Sequence, residues 1–185
     1  MPWIYNYAEL GPQQIEDLLG FAPFCSLAAS SPNSKITFKG KSRKWASPVA
    51  SLERCKGSWT YGSVHLIPID EVSIFDKYHQ NYIKIEVPLL IEATKDKIKA
   101  ITYVMDKDAP PGPPSDDYAK AVLKHLKFFW NQGGDTNLSL ENFGITVQSP
   151  DIKKKNEKIT AEVVKNVISD LENIPVKSKK RAKHE

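Results

Sequence analysis

The stretch from Tyr61 to Tyr118 constrains the fold more than any other part of the chain. It reads in order YGSVHLIPI, DEVSIFDKYHQ, NYIKIEVPLLIEA, KIKAITYVM and APPGPPSDDY. In Tyr82–Leu89, polar Tyr82, Lys84, Glu86 and Pro88 alternate with Ile83, Ile85, Val87 and Leu89. That is the two-residue period of a half-buried strand. Lys99–Met105 repeats it. Between Pro68 and Gln80 the pattern changes: Asp70 caps a helix whose Val72, Phe75 and Tyr78 share one face. Four prolines then stiffen the approach to a further helix, capped by Ser115 and supported by Asp116 and Asp117 in its first turn. Tyr118, Val122, Leu126 and Phe129 form its apolar stripe, and Gly133-Gly134 is its expected stop.

Upstream, Trp3–Tyr7 reads as a short aromatic strand, and Gly11-Pro12 opens the helix QQIEDLLG, stopped by Gly20. Pro23–Ala29 reads as a strand. The Ser-, Lys- and Pro-rich stretch 30–48 reads as a loop around a short strand at Ile36–Phe38. Val49–Arg54 and Gly62–Ile67 read as two strands joined by the turn-prone KGSW. Strands that outnumber the helices between them suggest an α+β domain: a curved mixed sheet or partly open barrel with helices packed outside.

With 185 residues, 41% of them hydrophobic, the chain suits one compact domain over 1–150 with appendages. ITAEVVKNVISDLENI places Ile159, Val163, Val167 and Leu171 at helical spacing, an amphipathic helix within 151–174 that docks on this domain or on a protein partner. Residues 175–185 read as a basic disordered tail. Of the net charge of +4, the segment from Ile152 onward carries +5 and the first 151 residues −1. The basicity belongs to the tail, which serves as a solubilising segment, a nuclear address or a nucleic-acid contact.

No apolar stretch approaches the roughly 20 residues of a membrane span, so none is expected. The N-terminus lacks a secretory pattern. Cys25 and Cys55 have neither metal-ligand nor pairing spacing, which suits a reducing compartment such as the cytoplasm. His65 and His125 have no ligand-spaced neighbours, so no metal is expected, and no phosphate-binding or dinucleotide motif calls for a cofactor.

From Phe24 to about Trp130 the order of strands, the acidic helix, the Tyr-x-x-Ile-Glu-Val strand and the Pro-Pro-Ser-x-x-Tyr helix start resemble the γ-glutamylcyclotransferase family. The resemblance implies that family's fold. It also implies an intramolecular attack of a substrate's α-amine on its γ-carbonyl, releasing 5-oxoproline, with a glutamate moving the protons. That glutamate usually stands in Leu-Asp-x-x-Glu-Gly. Here the matching letters are Phe75, Asp76, Lys77, Tyr78, His79 and Gln80, which put His79 at its position. The family's Tyr-Gly-Ser-Asn loop, which holds the substrate carboxylate, is matched by Tyr7, Ala8, Glu9 and Leu10, followed by Gly11. Tyr118 matches a pocket tyrosine.

Each departure has a chemical consequence. Ala8 adds a methyl where the glycine let the backbone approach a ligand, Glu9 brings negative charge to a carboxylate site, and Leu10 lacks an amide. His79 titrates in a useful range but offers no negative charge. The leading expectation is a protein with lost or weakened lyase chemistry. It would bind a small molecule or peptide end, γ-glutamyl-like or carboxylate-bearing, or act as a scaffolding subunit, through a concavity between the Tyr7–Gly11 loop, His79 and Tyr118. The alternative is an active enzyme with Glu9 or His79 as substitute base. A third reading is nucleic-acid binding through the tail and Lys35–Lys44. Tyr61-Gly62-Ser63 has letters like the loop motif but falls at the start of a central strand, so it is read as structural.

Overall fold

The computed structural model describes residues 1–147, apart from 132, 133 and 136. The expectations for the helix in 151–174, the tail at 175–185 and the stop at Gly133 lie outside the described residues. Among the described residues there are five strands: β1 (Trp3–Asn6), β2 (Cys25–Lys39), β3 (Val49–Leu66), β4 (Ile83–Ile91) and β5 (Lys97–Val104). They close into a barrel in the order β1-β3-β2-β4-β5. All neighbours are antiparallel except β1 and β5, which meet in parallel at Ile4 and Ile101. Helices α1 (Pro12–Leu19), α2 (Val72–Tyr78) and α3 (Asp116–Trp130) complete the α+β domain.

Two expectations are corrected. Residues 30–39 do not form a loop: β2 runs unbroken through Ser30 to Lys39, paired residue by residue with β3 on either side of an irregularity between Pro32 and Ser34. Asn33 takes φ +53° there, and its side-chain Oδ1 accepts from the Gly57 N–H at 3.0 Å. Nor does KGSW join two strands. Pairing steps from Pro32–Trp59 to Ser34–Arg54, so residues 55–58 bulge out of one 18-residue strand, and the true hairpin loop is 40–48. A bulge absorbs the polar turn-formers without ending either strand.

Two packed regions follow from the amphipathic patterns. Inside the barrel and under α3 lie Tyr5, Tyr7, Phe38, Val64, Tyr118 and Val122; at the other side Ile15 and Leu19 of α1 and Val72 and Phe75 of α2 pack on Ile4 and Ile67. Tyr78, expected on the apolar face of α2, is instead 38% exposed, because the helix ends there and the chain turns away. In α3 the buried set is Tyr118, Val122, His125 and Leu126, with Phe129 half-buried. The helix ends at Trp130.

The start of α3 shows its cap directly: Ser115 Oγ accepts from the Tyr118 N–H at 3.3 Å. Ser115→Ala is therefore expected to lower stability by about 1 kcal/mol. Urea unfolding followed by tryptophan fluorescence measures it, and an unchanged midpoint would show that the cap contributes nothing.

Candidate functional site

The hairpin loop 40–48, the loop that follows β1 and the end of α2 come together at one place. Between them lies a cavity of about 270 Å³, lined among others by Glu9, Lys41, Arg43, Tyr78, Tyr82 and Met105. Glu9 Oε1 accepts from the Trp45 Nε1–H at 3.3 Å, and Lys44 Nζ stands 5.0 Å from the centroid of that indole. Burial, and then the nearby Glu9 carboxylate, pushes Tyr78 up to about 12 and raises Tyr82 further. Both phenols therefore stay protonated at neutral pH and offer O–H donors. The cavity thus combines one carboxylate, basic side chains and neutral phenols.

The loop carrying Glu9 is held by its neighbours. Asn6, at the end of β1, accepts from the Ala8 N–H at 3.1 Å through Oδ1 and donates to the Leu10 carbonyl through Nδ2. The Gly11 carbonyl accepts from the Ile15 N–H at 3.1 Å, beginning α1. Leu10 is buried beside Ile15 and Phe75. The Ala8 N–H, which the resemblance would present to a ligand, is directed to Asn6 instead.

Tyr7 and Tyr118 are core residues by position. Tyr7 is 3% exposed and its hydroxyl donates to the Tyr103 carbonyl at 2.7 Å. Tyr118 is 1% exposed, its oxygen accepts from the Ala50 N–H at 2.9 Å, and its ring packs on Trp45 at 5.2 Å. Through Trp45 it supports Glu9 from beneath.

His79 meets Tyr78 and Tyr82 edge-on, its ring centroid 4.9 Å and 5.1 Å from theirs. Its Nδ1–H donates to the Phe75 carbonyl at 3.0 Å and its ring stacks on Tyr103, 4.3 Å between centroids and 6° from parallel. It lines a separate cavity of about 30 Å³ with Tyr5, Leu10 and Tyr103. Burial lowers it to about 4, so it is neutral at pH 7. Beneath it, the Tyr103 hydroxyl donates to Asp76 at 2.6 Å and Lys84 pairs with the same carboxylate at 2.9 Å; the Tyr103 bond first, then Lys84, holds Asp76 below the usual carboxylate range. His79 does not line the Glu9 cavity itself, but it touches Tyr78 and Tyr82, which do.

A second titratable cluster lies inside the molecule. Ser63 Oγ is 2.7 Å from His65 Nε2 and 2.8 Å from His125 Nε2, and His65 Nδ1 is 2.8 Å from the exposed Ser26 Oγ. Asn6 Nδ2 is 3.5 Å from His125 Nε2. Among the described residues no group of three metal-binding side chains assembles.

Sequence reasoning placed Glu9 but missed Lys41, Arg43, Trp45 and Tyr82. Their signal was present: the stretch Lys35–Lys44 and Tyr82, just ahead of β4, were noted, but only the folded hairpin brings them to one cavity with Glu9.

No family model and no curated protein matches the sequence. Solved structures do. One, described as a gamma-glutamyl cyclotransferase, superposes with a TM-score of 0.66 over 81% of this chain and 89% of its own at 20% identity. An uncharacterized human protein gives 0.66 over 80% of this chain and 89% of its own at 20% identity. An Arabidopsis thaliana protein solved in solution gives 0.50 over 81% of this chain and 95% of its own at 19% identity. At these identities the likeness establishes the fold.

Proposed function

We propose that this chain, which has the γ-glutamylcyclotransferase fold, binds a small molecule carrying an amine and a carboxylate in the Glu9 cavity without carrying out the lyase reaction associated with that fold. The observation that supports this reading is the way His79 is held. His79, which the resemblance puts at the proton-transferring position, is neutral, bonded to Phe75 and stacked on Tyr103, and is not among the residues that line the cavity. What lines the cavity suits recognition. Glu9 meets an ammonium, Lys41 and Arg43 meet a carboxylate, and Tyr78 and Tyr82 donate hydrogen bonds.

A second reading, in which the site is active with Glu9 as base, is favoured by one feature: Glu9 is the cavity's carboxylate and is positioned by Trp45. One experiment separates the two. γ-Glutamyl dipeptides are incubated with the full chain and 5-oxoproline is measured, while their binding is followed by thermal shift. The expected result is release at background, a raised Tm, and loss of the Tm shift in Glu9→Gln. General acid–base help contributes roughly 10² to 10⁴ in rate, so catalysis through Glu9 would stand well clear of background. Release that disappears in Glu9→Gln establishes the enzyme reading. Neither release nor binding sinks both.

A further inference from the structure

A cavity larger than the Glu9 site opens in the barrel wall. It is a groove of about 600 Å³, lined by residues 31–34 of β2, by 52–54 and 56 of β3, and by 85–88 of β4. Its origin can be read from the strand register. β2 and β4 pair at Ala29–Ile91 and Ser30–Leu90 and then part. Continued in that register, Pro32 would stand opposite Pro88, and neither proline has an amide N–H to donate, so the ladder loses its donors on both strands at one rung. One hydrogen bond crosses there, from Ser31 Oγ to the Pro88 carbonyl at 3.4 Å.

Side chains two apart on a strand share a face, which sorts the lining into an inner and an outer set. On β3 the inner face carries Leu52 and Arg54, opposite Ile36 and Ser34 of β2, which are 8% and 5% exposed. On β4 it carries Ile85 and Val87, in step with the buried Leu89. Leu52, Ile85 and Val87 pack with the barrel core, so the floor of the groove is the open edge of that core. Glu53 and Glu86 belong to the opposite face and are already engaged, Glu53 with Lys39 and Glu86 with Lys99 at 3.2 Å. The charge that shares the apolar face is the Arg54 guanidinium. It is exposed and has no ion pair or hydrogen bond among the described residues.

We infer that this groove binds a small amphipathic carboxylate, with its alkyl or aryl body on Leu52, Ile85 and Val87 and its head on Arg54. Each part of the lining selects one part of that molecule. The body removes the apolar floor from water, and the planar fork of the guanidinium matches a carboxylate. A cationic amphiphile would set its charge against Arg54, a bare anion would leave the floor wet, and a neutral amphiphile would leave the guanidinium without a partner. A mostly apolar cavity with a few placed polar groups, of this volume, is the ordinary form of a small-molecule site.

The test titrates the ¹⁵N-labelled full chain with octanoate, octanol, octylammonium and acetate at millimolar concentration. The expected result is saturable movement of the amide signals of Leu52–Arg54 and Ile85–Val87, tightest with octanoate, weaker with octanol, weakest with octylammonium and absent with acetate. Arg54→Met keeps an apolar stem and should weaken octanoate about fivefold or more while leaving octanol unchanged. Arg54 is exposed, so the variant is expected to fold, and its far-UV circular dichroism checks that. Unmoved signals with octanoate overturn the inference, as do equal binding of octylammonium, the same movement with acetate, and a preference for octanoate that survives Arg54→Met. Movement centred on Lys41–Arg43 and Tyr82 would assign the amphiphile to the Glu9 cavity instead. Concentration-dependent movement without ligand, with a dimer in sedimentation, would assign the groove to a second copy, and either result overturns the inference equally.

Discussion

Gly62→Ala is expected to lower stability by about 3 kcal/mol or more, a large share of the roughly 5–15 kcal/mol typical of a domain. Gly62 lies where β3 passes beneath the end of β1, next to the Asn6–Ser63 pair. A Cβ there would sit 2.3 Å from the Asn6 carbonyl oxygen, 2.9 Å from Tyr5 Cε2 and 3.0 Å from Tyr7 Cα. Two of these three atoms are backbone, and that backbone cannot retreat freely. Asn6 grips Ala8 and Leu10, Thr102 donates to the Tyr5 carbonyl at 2.9 Å, and the Tyr7 hydroxyl is tied to Tyr103 at 2.7 Å. Relief therefore means separating β1 from β3. Gly57→Ala is the comparison: φ is +82° but nothing lies within 4 Å, so only backbone strain of about 1 kcal/mol is expected. Urea midpoints for both variants check the contrast, and equal shifts would show that β1 gives way easily. Because Glu9 follows β1 directly, any Gly62→Ala protein that folds should also lose ligand-induced stabilisation.

The same crossing shows what was legible in the chain. Tyr61-Gly62-Ser63 could be read as structural because it opens a strand pattern, and the contacts of Gly62 give the reason. α3 was legible because Ser115, Asp116 and Asp117 announce its start and its stripe has helical spacing. The alternation in β4 was legible too, and its exception is informative: Val87 and Leu89 are buried, while Ile83, at the start of the strand, is 48% exposed. Residues 30–39 were not legible as strand. SSPNSK carries turn residues because one edge of β2 has no partner there and the bulge needs Asn33 in a left-handed conformation. At the candidate site, Glu9 was reached through the resemblance, whose loop motif was aligned on the first strand. Lys41, Arg43 and Tyr82 were not, since their meeting depends on the folded hairpin. Ser63 and His65, two apart in a strand, must share a face. His125, 62 positions further on, joins them only through the docking of α3.

That Ser63-centred cluster gives the second large effect, an acid sensitivity beginning well above the carboxylate range. Burial, with His125 adding to it, lowers His65 to about 3, and burial lowers His125 to about 4. Both folded values lie below the roughly 6.5 of an unfolded histidine, so as pH falls the unfolded chain takes up protons that the folded chain refuses. The stabilisation is complete above about pH 6.5 and is lost as pH falls toward the folded values. Between pH 7.5 and pH 5 the pair should lose about 4 kcal/mol, at up to about 2.7 kcal/mol per pH unit. His79, also lowered to about 4 by burial, acts in the same direction. Glu53 and Asp76, both held low, follow only below about pH 4.5, which leaves the upper window to the histidines. Urea unfolding at pH 7.5, 6 and 5 reads the slope, and His125→Gln should reduce it by one proton's share. If that variant does not fold, imidazole ¹⁵N shifts of the unmodified protein still decide: both rings should remain neutral at pH 5. Rings titrating near 6.5, or stability flat from pH 7.5 to 5, would show that water or a counter-charge reaches the cluster. Since His125 also touches Asn6, the residue that grips the Glu9 loop, the loss should be felt at the cavity before the barrel opens.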